Sequence, residues 1–333
     1  MLNADSKWAL PILAPLVPCF LPLTPKLHER RADRGVACTN RLRHFPRVAS
    51  ADRRQLAPPV ERTVRWATRA IEGLPVQRIR SSTGVTISYD LYGSGTPLVL
   101  VHGGFSDHET NWELVKPLFE KQFTVHAIAR RGRGETDATE GHSLEEESLD
   151  VASLIRSIGE PVFLLGHSYG AQTALAAAAT VPDRVRRLVL YEPPSRRVLD
   201  EELLARLEEL AQAGRWNDFA LTFLRDGLRV PAAELDELRA TQLWPPIVAD
   251  AEASLGDLRA LVRYELRAER FRDLRVPVML QIGTESPRHL YVTDDLAAVL
   301  PDVRIEELPG QAHEGMTTAP EMYAESVSRF LLG

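Results

Sequence analysis

Cysteine is scarce in this chain, and its placement excludes several kinds of site. The 333 residues contain two cysteines, Cys19 and Cys38, and both lie near the N-terminus. The rest of the chain therefore has no disulfide, no thiolate metal site and no cysteine nucleophile. The nine histidines include no His-Glu-x-x-His motif, which argues against a zinc protease. The sequence predicts no metal site.

A long uninterrupted hydrophobic run is also missing. The apolar stretch 8–23 contains Pro11, Pro15, Pro18 and Pro22, which prevent a regular helix. It is also shorter than the ~20 residues that a membrane span needs, and it lacks the basic start of a secretory signal. We expect no membrane association and a cytoplasmic location, with export or targeting by the N-terminal segment left open.

Excess basic charge is confined to the N-terminal part. Residues 1–73 carry 13 Lys and Arg against 6 Asp and Glu, although the whole chain has a net charge of −6. The remainder is therefore acidic, which argues against binding to nucleic acid or to an anionic membrane. We predict that residues 1–73 are a disordered basic extension, or that they are present because the start codon is assigned too far upstream. The alternative is a targeting segment.

From residue 74 onwards, strand-like and helix-like patterns alternate. Apolar strands such as Val162–Gly166 follow amphipathic segments such as Leu144–Ile158, which predicts a mostly parallel sheet with helices on both faces. The alternation stops at residues 195–271, which are nearly all helix-forming. The sequence thus predicts an α/β core formed by residues 74–194 and 272–333, with a helical cap inserted between them.

The pattern Gly-His-Ser-Tyr-Gly connects an apolar strand to an alanine-rich helix over 171–179. Gly-x-Ser-x-Gly in this context is typical of a nucleophile elbow, in which a sharp turn exposes the serine above the sheet edge. Gly166 and Gly170 have no Cβ and allow neighbouring elements to approach closely. Ser168 is the predicted nucleophile, and the alternative is a chance match in a loop.

A serine hydroxyl needs a base to remove its proton, and the base needs an acid to orient it. His313, directly after the last predicted strand, is the expected base. His167 adjoins the serine and points to the other face, and His102 is expected to brace a loop. Glu192, flanked by proline at the end of a buried strand, is the favoured acid. Glu285 remains the alternative.

An oxyanion hole requires backbone N–H groups near the serine. Tyr169 N–H is expected at the start of the helix after the elbow. Gly104 is the expected second donor and Phe105 the next choice, because they follow a parallel strand at its C-terminal end. The arginine-rich loop 130–134 lacks the Gly-x-x-x-x-Gly-Lys pattern, so a structural turn is favoured over a phosphate site.

These motifs together resemble the α/β-hydrolase superfamily, from about residue 75 to the end. The resemblance rests on His-Gly-Gly-Phe at 102–105, Arg-Gly-x-Gly at 131–134, Gly-His-Ser-Tyr-Gly at 166–170 and Gly-Gln-Ala-His at 310–313. It implies an eight-stranded sheet with an antiparallel second strand, a helical cap, a Ser-His-acid triad and no cofactor.

Two positions depart from the family pattern. Ser286 stands where the family often has an aspartate after the next-to-last strand, which favours Glu192, a position that some lipases of the superfamily use. Ala129 replaces a residue that is generally structural. Because Ser168 occupies the elbow, the epoxide hydrolases and haloalkane dehalogenases of the superfamily are disfavoured.

The sequence predicts a serine hydrolase that cleaves a small or medium ester, lactone or related acyl compound. A carbon–carbon bond hydrolase or a cofactor-free perhydrolase would share the triad, and a ligand-binding or receptor protein that lost turnover is the alternative from another class. Trp112, Trp216 and Trp244 are candidate substrate contacts, although such aromatics often pack cap helices together. A monomer or a homodimer is expected.

Overall fold

A computed structural model describes residues 76–139 and 141–333, so the predicted extension 1–73 lies outside the described residues. These residues form a single sheet of eight strands. The strands are β1 (Gln77–Arg80), β2 (Thr86–Gly93), β3 (Thr96–Val101), β4 (Phe123–Ile128), β5 (Val162–His167), β6 (Val185–Tyr191), β7 (Val278–Gly283) and β8 (Val303–Leu308).

The strands are arranged in the order β1-β2-β4-β3-β5-β6-β7-β8. Strand β2 is antiparallel to both of its neighbours, and every pair from β4 to β8 is parallel. The predicted sheet with an antiparallel second strand is therefore confirmed. Parallel strands end at the same edge, so the segments that follow β3, β5, β6, β7 and β8 meet at one edge of the sheet.

Eleven α-helices accompany the sheet in the described part of the chain. They are α1 (Lys116–Phe119), α2 (Leu144–Ile158), α3 (Tyr169–Thr180), α4 (Glu201–Gln212), α5 (Trp216–Thr222), α6 (Ala232–Arg239), α7 (Trp244–Ala249), α8 (Ala251–Arg263), α9 (Thr293–Ala297), α10 (Gly315–Thr318) and α11 (Pro320–Leu332). Helix α2 begins at a capping box, in which Ser143 and Glu146 satisfy each other's backbone N–H groups.

Both faces of the sheet are covered, as the apolar pattern of β3 illustrates. Val99 and Val101 contribute to a core with α2, α3 and α9, whereas Leu98 and Leu100 contribute to a core with α1 and α11. Alternate residues of a strand point to opposite faces, so a fully apolar strand supplies two cores at once.

Helices α4 to α8 lie between β6 and β7 in the sequence, within residues 195–271, which we call the cap segment. A third apolar cluster joins these helices to Phe105 and Tyr169 of the core. Phe105 stacks on Phe223 at a centroid distance of 5.0 Å and an interplanar angle of 12°. The cap segment therefore packs over the residues that follow β3 and β5. No helix in the described residues is long and apolar enough to cross a membrane.

Candidate active site

Ser168 connects β5 to α3 in a strained conformation, with φ 54° and ψ −124°. The glycines two residues before and after Ser168 lie where the neighbouring backbone leaves no room for a Cβ atom. A Cβ on Gly170 would lie 2.3 Å from the carbonyl oxygens of Val101 and His102, and one on Gly166 would lie 2.5 Å from the oxygen of Gly170. The chain thus turns sharply at Ser168 and leaves its side chain half-buried at the sheet edge.

Backbone strain is concentrated at the predicted site residues. Four non-glycine residues in the described part of the chain have a positive φ angle, and three of them are Phe105, Ser168 and Glu192. Each such residue costs about 1–3 kcal/mol and persists only where the surrounding structure holds it. Such strain is often found at active sites, and here it falls on segments that follow three neighbouring parallel strands.

Glu192 and His313 form a direct pair. His313 Nδ1 lies 2.7 Å from Glu192 Oε2, and Gly283 N–H donates to Glu192 Oε1 at 2.8 Å. The Glu192 side chain is fully buried, whereas 13% of the His313 side chain is exposed. The C-terminal ends of β6, β7 and β8 therefore meet at this pair.

The loop that carries His313 is fixed from two sides. Tyr191 hydroxyl donates to the Ala312 carbonyl and accepts a hydrogen bond from Gly315 N–H at 3.2 Å. His167 Nε2 lies 3.0 Å from the His313 carbonyl, and the two imidazole rings have centroids 4.8 Å apart. Because His167 directly precedes the elbow serine, these contacts hold His313 beside the elbow.

The environment of His313 raises its pKa above the usual value. Burial alone would lower this pKa, but the hydrogen bond from His313 to Glu192 and the negative charge of Glu192 outweigh that effect, and Glu314 adds to it. The imidazole is therefore a stronger base than an isolated histidine.

Glu285, the alternative acid, lies elsewhere on the loop after β7. Its carboxylate accepts a hydrogen bond from the Thr284 hydroxyl at 3.3 Å, and its backbone N–H donates to the Gln311 carbonyl at 2.9 Å. The structure brings Glu192, and not Glu285, to the imidazole of His313.

The predicted oxyanion loop is braced by polar groups. His102 has a pKa well below its usual value because it is buried, and its neutral ring accepts a hydrogen bond from Arg130 N–H at 3.2 Å. Gly103 N–H donates to Asn111 Oδ1 at 2.7 Å. Phe105 N–H donates to Ser254 Oγ of α8 at 2.7 Å. Phe105, the second-choice oxyanion donor, therefore has another acceptor, and Gly104 and Tyr169 remain the candidate pair.

Two arginines of the 130–134 loop are buried behind this oxyanion loop. Arg130 donates to the carbonyls of His102 and Gly103 at 2.9 and 2.8 Å, and to Asp257 Oδ2 at 2.7 Å. Arg133 Nη2 lies 2.8 Å from the same carboxylate oxygen. Burial would raise the pKa of Asp257, but the two guanidinium groups hold it well below the usual range. Asp257 lies on α8, so the loop joins core and cap segment.

The buried side chains of His142, Glu147 and Asp257 form a cluster of the kind that can bind a metal ion. His142 Nε2 lies 3.4 Å from Glu147 Oε1 and 3.7 Å from Asp257 Oδ1. Arg130 lies 2.9 Å from the other Glu147 oxygen and already pairs with Asp257. Two guanidinium charges at this position disfavour a cation, so the cluster fits an internal ion-pair network.

The three predicted substrate contacts differ in position. Trp112 is fully buried in the core with α1 and α11, so its side chain packs the interior of the fold. Trp216 and Trp244 belong to the cap cluster with Phe219. Trp244 donates to Asn217 Oδ1 at 3.0 Å, and Trp216 packs edge-on against Phe219. The cap tryptophans thus pack against other cap residues.

The sheet order, the strained serine after β5 and the helical segment between β6 and β7 define an α/β-hydrolase fold. The chain belongs to the alpha/beta hydrolase family, whose family model matches residues 98–326. Family membership confirms the predicted resemblance and the enzyme class.

Individual relatives agree with this assignment. The chain is 28% identical over 262 residues to 2-(acetamidomethylene)succinate hydrolase of Mesorhizobium japonicum, covering 74% of this chain and 92% of that protein. It is 25% identical to a putative 2-succinyl-6-hydroxy-2,4-cyclohexadiene-1-carboxylate synthase of Bacillus subtilis, covering 70% of this chain and 89% of that protein. A crystal structure of an alpha/beta hydrolase from Sphaerobacter thermophilus superposes with a TM-score of 0.67 at 30% identity, covering 77% of this chain and all of that one.

Proposed function

We propose that this protein is a serine hydrolase that cleaves a small or medium ester, lactone or related acyl compound through an acyl-enzyme. The observation that carries the proposal is the 2.7 Å contact between His313 Nδ1 and Glu192 beside a strained Ser168. This arrangement supplies a nucleophile, a base and an acid that orients the base. The similarity to a hydrolase of Mesorhizobium japonicum supports hydrolysis as the reaction class.

In the proposed first step, Ser168 Oγ attacks the substrate carbonyl. The hydroxyl O–H bond breaks, its proton passes to His313 Nε2, and a bond forms from Oγ to the carbonyl carbon. Glu192 balances the charge of the imidazolium through Nδ1. The backbone N–H groups of Gly104 and Tyr169 receive the negative charge on the carbonyl oxygen.

In the later steps, the imidazolium gives its proton to the departing alcohol oxygen, which leaves an acyl group on Ser168. His313 then removes a proton from water as the water oxygen bonds to the acyl carbon. The bond from that carbon to Oγ breaks and the imidazolium returns the proton to Oγ, which releases the acid and restores the serine. The proposal requires only a small-molecule substrate and no cofactor.

A labelling experiment tests the proposed nucleophile. A fluorophosphonate should add once to the full-length protein, and intact mass spectrometry should detect no adduct on Ser168→Ala. Ser82→Ala, which removes an exposed serine hydroxyl, is the matched control and should label like the wild type. Labelling of Ser168→Ala at the wild-type rate would contradict the proposal.

Turnover assays distinguish the proposed reaction from its rivals. Ester and lactone panels should give acid products at rates that depend on Ser168. Carbon–carbon bond cleavage of a diketone, or formation of a peracid from a carboxylic acid and hydrogen peroxide without ester turnover, would favour the other chemistries of the same triad. Saturable ligand binding without labelling or turnover would favour a receptor.

A further inference from the structure

Tyr291 lies directly against the proposed base and acid. Its hydroxyl oxygen is 3.2 Å from His313 Nδ1, and its ring is stacked on the imidazole at a centroid distance of 5.5 Å and an angle of 17°. The same Nδ1 lies 2.7 Å from Glu192 Oε2. Tyr291 thus contacts the pair through both its hydroxyl and its ring.

The backbone around Tyr291 is attached to the segment that follows Glu192. Pro194 and Tyr291 form an antiparallel bridge, and Val292 N–H donates to the Pro193 carbonyl at 3.0 Å. The backbone on both sides of the contact is therefore held together one to two residues from Glu192.

The arrangement of donors determines what the Tyr291 hydroxyl can do. The proton on His313 Nδ1 points to Glu192 Oε2 at 2.7 Å, whereas the Tyr291 oxygen lies 3.2 Å from the same nitrogen. The tyrosine O–H therefore does not donate to Nδ1 and is available to the neighbouring carboxylate. Burial and the charge of Glu192 raise the pKa of Tyr291 well above its usual value, and its hydrogen bond to Glu192 adds to this effect. The hydroxyl thus stays protonated. Together with Gly283 N–H, it gives the buried carboxylate a third donor.

We propose that Tyr291 is a positioning residue for the reaction, which acts through Glu192 and His313 and rests on the serine-hydrolase function proposed above. Its hydroxyl lies at the contact between Nδ1 and the Glu192 carboxylate and holds the two together, and its ring restricts rotation of the imidazole. Glu192 needs such support because it follows the end of β6, in backbone with φ 49°. The residue is not a proton donor or acceptor for the substrate.

Tyr291→Phe tests the hydroxyl while it retains the stacked ring. We expect kcat to fall about tenfold with little change in KM, because a hydrogen bond to a charged group is removed from the pair. The groups that act on His313 are Glu192, Glu314, His167 and Tyr291. Without the Tyr291 hydroxyl, less of the Glu192 charge is offset, so this charge should raise the pKa of His313 further. The acid limb of kcat/KM should therefore move to higher pH. The downfield proton NMR resonance of Nδ1–H should shift.

Tyr323→Phe is the matched control. Tyr323 is fully buried, and its hydroxyl has no hydrogen-bond partner among the described residues. Its removal should leave kcat, the pH profile and the Nδ1–H resonance unchanged. Tyr291→Leu removes the ring as well and should lower kcat further than Tyr291→Phe, with circular dichroism used to verify folding.

The outcomes separate this proposal from the proposed function. If the wild type is labelled by fluorophosphonate but Tyr291→Phe matches Tyr323→Phe in kcat, pH profile and resonance, the positioning role is refuted and the serine-hydrolase function stands. If the wild type is not labelled, the proposed function fails. The NMR titration of His313 then still decides whether Tyr291 controls the pair, because it does not depend on turnover.

Discussion

Ser254 Oγ, on helix α8 of the cap segment, accepts a hydrogen bond from the Phe105 N–H at 2.7 Å. The same hydroxyl donates to Asp250 Oδ2 at 2.8 Å and lies 3.1 Å from Arg133 Nη2. A cap side chain therefore holds the backbone of the oxyanion loop at a residue with φ 56°. The geometry of the candidate oxyanion hole depends on the cap segment as well as on the core.

Ser254→Ala should weaken this attachment. We expect kcat to fall about tenfold with a small change in KM, because Phe105 N–H loses its acceptor and the strained loop is less restrained. Steady-state kinetics with an ester substrate would measure the effect. Ser148→Ala removes a buried serine that donates to the Glu145 carbonyl of its own helix, and it should leave kcat unchanged. Equal kinetics for the two variants would show that Ser254 does not influence catalysis.

Asp257→Asn should destabilise the fold strongly. It removes the carboxylate shared by Arg130 and Arg133 and leaves two buried guanidinium groups with less negative charge. Breaking a buried ion pair costs about 3–5 kcal/mol, which corresponds to a decrease in Tm of roughly 10 °C.

A control variant removes the partner of another α8 residue. Arg259 of α8 pairs with Glu208 at 2.7 Å in an exposed ion pair, and Glu208→Gln should change stability by no more than ~0.5 kcal/mol. Thermal unfolding would compare the two variants. Similar Tm values would contradict the importance of the buried network.

Glu192→Gln should lower kcat by about 10⁴, because the imidazole loses the group that fixes its tautomer and balances its charge. This magnitude is that of the corresponding substitution in a serine protease. Glu285→Gln should leave the rate nearly unchanged, since that carboxylate contacts Thr284 and not His313. Both variants should retain the wild-type circular dichroism spectrum.

Ser286→Asp should restore part of the lost activity when it is combined with Glu192→Gln. Ser286 is buried beside Tyr291, whose hydroxyl lies 3.2 Å from His313 Nδ1. A carboxylate at this position should raise kcat at least tenfold over Glu192→Gln alone, as one restored charge-assisted hydrogen bond would do. No gain in the double variant would mean that residue 286 cannot reach the imidazole.

As pH rises, the activity that depends on His313 should increase, whereas the stability contributed by its pair with Glu192 should decrease. The pKa of His313 is raised above the ordinary value of about 6.5, so kcat/KM should fall as pH decreases through a midpoint above that value. The stability contributed by the pair is fully present below the unfolded pKa of about 6.5, and it is lost as pH rises through the folded pKa. A pH–rate profile and pH-dependent unfolding would measure both.

Removing the acid provides the control for this pH dependence. In Glu192→Gln, burial still lowers the pKa of His313, but the charge and hydrogen bond of Glu192 no longer raise it. The pH midpoint of the residual activity should therefore move to lower pH. An unchanged midpoint would show that another group controls the acid limb.

The sequence was sufficient to predict the elbow and the proposed base because their signals are local. Gly166 and Gly170 mark close contacts that no other residue allows, and His313 follows the last strand. Proline on the C-terminal side of Glu192 favoured this residue as the acid, and its carboxylate lies 2.7 Å from His313 Nδ1 in the structure.

The features that sequence could not predict depend on long-range contacts. Tyr291, Ser254 and Asp257 carry no motif, and each reaches the site only when the chain has folded. Trp112 was expected to contact substrate, but an aromatic residue before a short helix looks the same whether it lines a pocket or fills a core. The sequence favoured a structural turn for the arginine-rich loop 130–134, but it did not indicate which residues the arginines contact.

The buried ion pairs between the 130–134 loop and α8 restrict how this enzyme can be redesigned. Exchanging the cap segment with that of a relative is an obvious route to a new substrate range. A donor segment without a carboxylate at the position of Asp257 would leave Arg130 and Arg133 without their shared partner. Chimeras should therefore retain α8 and replace only helices α4 to α7, which supply most of the aromatic surface of the cap.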